Sequence, residues 1–242
     1  MRWRWVAGLW MVLATVMASA AGLRILTLDS DGGTINRDSG DHPTGFTIEI
    51  ARALCDEMQV SCIFLPTRLD RVVDQLVAGE ADMAAVAMLE TPERRGKILF
   101  TKPYLRSVSA WLAQPGQQPG KPDTRVAVVR ASVQERYARI RGWETVPVST
   151  SEELIVPLRS GEAQAALVPM LWGLALMKNS QFRQLKLEST VMDEPELSGG
   201  ASFAISPRRS DLKPLLDDAL DRIMRNGVYD RVNSRFLPLR VN

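Results

Sequence analysis

Beyond residue 22 the chain alternates twice between short apolar runs and amphipathic helical patterns, and this alternation constrains the fold more than any other feature. Leu23 to Leu28 (LRILTL) has the composition of a buried strand. From Phe46 to Met58, residues Phe46, Ile50, Ala53, Leu54 and Met58 share one face at helical spacing. Ser61 to Leu65 reads as a strand, Leu69 to Ala78 as a helix closed by Gly79, and Met83 to Leu89 as a third strand. The pattern restarts after the Pro/Gly-rich stretch Gln114 to Asp123, which marks a loop near a domain boundary. Strands are predicted at Arg125 to Val129, Thr145 to Val148 and Ala163 to Val168, with helices at Ser132 to Arg139 and Ser151 to Arg159. Such alternation buries a mostly parallel sheet between helices, an α/β architecture of two doubly wound lobes. A remainder follows: a helix at Leu171 to Lys178, a strand at Ala201 to Ile205, and helices at Asp211 to Met224 and Tyr229 to Phe236. It is too small to fold alone. If it packs back on the first block, the chain crosses twice between lobes and leaves a hinged cleft. The expected crossings lie near Ser107 to Trp111 and Gly199 to Phe203, with residues 211–236 on lobe one.

The first twenty residues follow a different logic. Arg2 and Arg4 precede an apolar run from Val6 to Met17, and Ala18-Ser19-Ala20 closes it. This is the pattern of a secretory signal peptide over residues 1–20, with cleavage expected after Ala20. The run is shorter than the ~20 apolar residues of a spanning helix, so the mature form is expected in the periplasm and not across the membrane. Of 30 basic residues in the chain two lie in this leader, so the rest carries 28 against 28 acidic residues. That balance argues against nucleic acid or an anionic membrane as partner. The two cysteines, Cys55 and Cys62, sit seven apart in an exported chain, for which a disulfide is the natural reading. Two free thiols or a metal pair fit less well, because His42 is the only histidine and lies elsewhere in sequence. No metal or other cofactor is expected.

Eight segments in one order resemble the family 3 extracellular solute-binding proteins of bacterial ABC importers, the polar amino-acid binders in particular. They are LRILT, GFTIEIARALC (Gly45 to Cys55), LDRVVDQLVAGEADM (Leu69 to Met83), TPERR (Thr91 to Arg95), LFTKPY (Leu99 to Tyr104), VAVVRASVQERY (Val126 to Tyr137), LRSGEAQAALV (Leu158 to Val168) and DALDRIMRNGVYDRV (Asp218 to Val232). The resemblance implies a type II periplasmic-binding-protein fold with a two-crossing hinge. Lobe one would take residues 22–107 plus 203–242 and lobe two residues 110–200. Ligand would sit at the strand ends, where open α/β sheets place their sites. The Cys55/Cys62 pair is similar to a disulfide that some basic amino-acid binders carry at this place. The implied function is capture of a small carboxylate-bearing solute for an ABC permease or another periplasmic partner, by a monomer and without catalysis.

Arg94 matches the family arginine that grips a ligand carboxylate, and a guanidinium suits that task as a planar, permanently charged fork. Thr91 caps the turn that carries it. Ser132 opens the second-lobe helix, where a hydroxyl and backbone N–H groups can bind an anion from the other side, although an ordinary N-cap reads identically. Leu69, Ala87 and Leu89 complete the expected cleft lining, with Asp29 and Asp31 in the loop after the first strand. This chain also departs from the resemblance. Pro169 stands where the amino-acid binders place an aspartate for the ligand ammonium, and Val86 and Ala87 replace a small polar pair. An ammonium left without a carboxylate in a desolvated cleft is costly. The expected ligand is therefore a carboxylate without a conventional α-amino group, or one whose ammonium meets Asp29 or Asp31.

Two rival classes remain. The fold is similar to that of periplasmic cyclohexadienyl dehydratases, with Glu90 or Asp29 as candidate acids, but a lone His42 leaves no Ser-His or Cys-His pair. The other rival is a ligand-poor accessory or sensory partner of a periplasmic dehydrogenase system.

Overall fold

Two open sheets carry the chain in the computed structural model, which describes residues 22–29, 36–37, 43–121 and 123–237. The leader, Asp31 and His42 lie outside the described residues. In chain order the first part comprises β1 (Leu23–Leu28), β2 (Asn36–Arg37), β3 (Pro43–Thr44), α1 (Phe46–Met58), β4 (Cys62–Thr67), α2 (Leu69–Ala78), β5 (Met83–Leu89), α3 (Pro92–Arg95), β6 (Leu99–Phe100) and β7 (Leu105–Ser107). The second part holds β8 (Ser109–Ala113), β9 (Arg125–Val129), α4 (Val133–Ile140), β10 (Glu144–Val148), α5 (Ile155–Ser160), β11 (Ala165–Pro169), α6 (Met170–Lys178), α7 (Ser180–Arg183) and β12 (Glu188–Met192). The chain then returns through β13 (Gly199–Ile205), α8 (Leu212–Arg225) and α9 (Val228–Phe236). No helix among the described residues is long and apolar enough to cross a membrane.

The first sheet has the order β4-β1-β5-β13-β6, with β7 also beside β13. β1 runs parallel to β4 and β5, whereas β13 is antiparallel to β5, β6 and β7. Only Arg24 of β1 escapes full burial, and this explains why that strand is mostly apolar, with Leu23, Ile25, Leu26 and Leu28, and does not alternate. The second sheet has the order β10-β9-β11-β8-β12, parallel through β11 and antiparallel at β8 and β12.

Apolar faces decide how these layers stack. Ile50 and Leu54 of α1 share one core with Leu216, Leu220 and Ile223 of α8 and with Tyr229 of α9, so the last two helices close the outer face of the first sheet. Tyr229 donates its hydroxyl to the Tyr104 carbonyl at 2.6 Å, and Tyr104 stacks on Phe203 at 4.2 Å. A second core runs from Leu26, Val72 and Leu76 through to Val129, Val168 and Trp172, so packing continues across the junction of the two sheets. Behind the second sheet, Trp111, Tyr137 and Leu167 form a third cluster.

Asp82 ties β1, β5 and the return segment together. Its buried carboxylate accepts from the Arg24 backbone N–H at 2.8 Å and from the Arg24 and Arg209 guanidinium groups at 3.1 and 3.0 Å. Burial by itself would push this carboxyl up, but the hydrogen bonds and charge of Arg24, joined by Arg209, hold it below its ordinary range. A Cys55–Cys62 disulfide, with Cα atoms 6.2 Å apart, fastens the end of α1 to the start of β4.

Several boundaries differ from the sequence expectation. The strand expected at Ser61 to Leu65 lies at Cys62–Thr67, because Leu23 pairs with Cys62 and the parallel register carries on to Thr67. The helix expected over Ser151 to Arg159 starts as a 3-10 turn, Glu152–Leu154, and becomes α-helical only from Ile155. Gly199 already pairs with Ser107, so the return crossing falls in residues 193–198, ahead of the expected Gly199 to Phe203.

Candidate ligand-binding cleft

The cleft is built where β5 of the first sheet and β11 of the second point their C-terminal ends at each other, the position that open α/β sheets reserve for ligands. β5 ends at Leu89, and Thr91 then caps α3 by accepting the Arg94 N–H at 3.4 Å, with Pro92 in the first helical position. This short turn aims Arg94 across the junction. The Arg94 guanidinium donates through Nη1 to the Leu89 carbonyl at 2.9 Å and through Nη2 to the Ala131 carbonyl, on the other side, also at 2.9 Å. Arg94 is half-buried, and no carboxylate among the described residues forms an ion pair with it. Desolvation lowers its pKa to about 10, an effect that the charge of Glu93 opposes, so it remains a cation at neutral pH.

The opposing wall is the turn into α4. Ala131 has φ 60, a left-handed backbone that a residue with a Cβ adopts only under compulsion. Its N–H donates to Glu135 Oε2 at 2.7 Å, while Ser132 Oγ accepts the Glu135 N–H at 3.0 Å. This reciprocal capping has a consequence for Ser132. The anion-binding role expected of that helix end is met in part from within the chain, because the Glu135 carboxylate already takes the Ala131 N–H. A second contact spans the same gap: Glu93 of α3 pairs with Arg136 of α4 at 2.8 Å, both exposed, so water and salt screen the pair.

Between these walls is a cavity of about 40 Å³. Leu69, Ala87, Leu89, Arg94 and Ser132 all line it, so the fold brings together five residues of the expected cleft set from separate segments. Thr91 and Asp29 do not line it. Thr91 faces an open groove of about 500 Å³ outside α3 and α4, beside Arg94, Arg136 and Arg139. Asp29, exposed at the end of β1, lines a separate cavity of about 10 Å³ with Arg68 and the Ser149-Thr150-Ser151 loop. Glu90, considered above as an acid, forms an exposed ion pair with Arg95 at 3.1 Å. Val133, Gln134, Pro169 and Trp172 also line the Arg94 cavity and were not singled out as contacts. The usable signal for Trp172 was its place, three residues past the end of a central strand. Gln134 donates to Ser109 Oγ at 2.9 Å and Ser109 to the Leu197 carbonyl, a buried chain that holds the cavity floor.

Two α/β lobes joined by two chain crossings, with a cationic side chain at an apolar cavity between them, define a cleft protein of the periplasmic-binding-protein fold. The chain belongs to the bacterial extracellular solute-binding proteins, family 3, whose profile matches residues 26–238. It is similar to the putative ABC transporter arginine-binding protein 2 of Escherichia coli (strain K12), with 22% identity covering 82% of this chain and 84% of that protein. It is also similar to the lysine/arginine/ornithine-binding periplasmic protein of the same strain, at 23% identity over 95% of this chain and 94% of that one. Among solved structures, an ancestral arginine-binding protein bound to glutamine superimposes with a TM-score of 0.78 at 23% identity, covering 89% of this chain and 97% of that chain. At that identity the structural likeness speaks for the fold alone.

Proposed function

We propose that this chain is exported to the periplasm and, as a monomer, captures a small carboxylate-bearing solute between its lobes for delivery to an ABC permease. One observation carries the reading: a half-buried, partly desolvated arginine without an ion-pair partner among the described residues sits on the wall of a cavity between two sheets. A desolvated cation is unfavourable by itself and becomes favourable once a carboxylate supplies bidentate acceptors. The relatives' names, which speak of ABC transport and of arginine, lysine and ornithine binding, support a transport role over catalysis. Because Gly199 already pairs with Ser107, lobe one in this reading takes, among the described residues, those of 22–107 plus 199–237, and lobe two those of 109–192, in place of the expected restart at 203 and end at 200.

The test is a thermal-shift screen of carboxylates and amino acids on the mature protein. A solute present at a hundred times its Kd should stabilise by about 2.7 kcal/mol. Arg94→Ala should then weaken binding by about 2–5 kcal/mol, since it leaves the ligand carboxylate unpaired. No shift with any solute would overturn capture and favour a ligand-poor accessory or sensory role.

A further inference from the structure

The two small cavities at the lobe junction share two walls, Leu69 and Trp172, and these come from opposite sides. Leu69 is the first residue of α2, and Trp172 lies one turn into α6. Pro169 ends β11 and stands as the N-cap of α6, which turns the helix so that the Trp172 ring comes to the junction with only 9% exposure. On one side of this pair is Arg94, the only charged residue among the described residues that line the cavity of about 40 Å³. On the other side is Asp29, with Arg68 beside it.

We propose that Trp172, backed by Leu69, is the specificity-determining residue of the cleft: it separates the anion grip at Arg94 from the acid at Asp29 and so selects compact monocarboxylates with an apolar body. The inference rests on the capture reading above and adds the ligand class. A solute seated on Arg94 meets Leu69, Val86, Leu89, Val133, Pro169 and Trp172, with the neutral polar side chains of Ser107, Ser132 and Gln134 beside them, a lining that rewards apolar atoms and, among the described residues, offers no carboxylate to an ammonium. A long cationic solute would have to pass the Leu69/Trp172 wall to reach Asp29.

Matched pairs that differ only in the α-amino group test this by calorimetry on the mature protein: propanoate and alanine, 4-methylpentanoate and leucine, 5-guanidinopentanoate and arginine. Wild type should bind 4-methylpentanoate and propanoate, reject their amino partners by roughly tenfold or more through the unpaired buried ammonium, and bind both guanidino compounds more weakly than 4-methylpentanoate. Trp172→Ala and Leu69→Ala should join the two cavities and raise arginine affinity by roughly tenfold or more, the gain that an ion pair with Asp29 would bring. Should Trp172→Ala fail to melt cooperatively, Leu69→Ala and the wild-type ranking decide. Wild type binding leucine or arginine as tightly as the matched acid, or folded variants keeping the wild-type ranking, would overturn the assignment of Trp172. No binding by any compound would overturn the capture reading itself, and this assignment with it.

Discussion

At the scale of single residues, the cleft depends on a backbone held out of its preferred region. Ala131, at φ 60, presents its carbonyl to Arg94 and its N–H to Glu135, and those two bonds keep it there. A left-handed alanine costs about 1–2 kcal/mol, and glycine avoids that cost at an entropic penalty of about 0.5–1 kcal/mol. Ala131→Gly is therefore expected to stabilise the protein by about 0.5 kcal/mol, read as a higher urea midpoint at unchanged slope. A lower midpoint would show that the methyl group packs usefully in the turn. Arg94 was legible in the sequence from its Thr91-capped turn, whereas its contact with Ala131 was not, because the partner lies thirty-seven residues away in another lobe.

Elements follow the same division. α1, α2 and α8 were legible because each carries a one-sided apolar stripe, as with Val72 and Leu76 on α2. β8 and β12 were missed for opposite reasons. Ser109–Ala113 (SAWLA) is buried along its whole length and shows no alternation, while Glu188–Met192 (ESTVM) is an almost fully exposed edge strand that exists through its pairing with β8. The Cys55–Cys62 bridge operates at this scale too, joining α1 to β4 through a short loop. Replacing both cysteines by serine should cost about 2–3 kcal/mol of stability in the chain-entropy account, measured by chemical denaturation. A loss below about 1 kcal/mol would mean that the Leu23–Cys62 register alone holds this corner.

Across the whole molecule, the Asp82 network joins the first sheet to the return segment ahead of α8, so its protonation bears on global stability. Because the folded-state pKa of Asp82 lies below its ordinary 3.8, its contribution is fully present above pH 3.8 and is lost as pH falls through the lower folded value. The melting temperature should thus drop on acidification below about pH 4. Asp82→Asn should be less stable by about 2 kcal/mol at pH 7, through weakened charge-assisted hydrogen bonds, and should lose less on acidification. Parallel acid profiles for wild type and variant would show that other carboxylates dominate.

What the sequence by itself determined was the α/β class, the order of its principal strands and helices, and Arg94 as a candidate anion grip, since each is written in local periodicity, capping residues and side-chain chemistry. The sequence did not show that Leu69 and Trp172 meet across the junction, that Glu135 takes a donor at the Ser132 turn, or that Asp29 lies in a different cavity from Arg94. Those are relations between segments far apart in the chain. Only the packing of two sheets, whose shared core runs from Leu26 to Trp172, sets their distances.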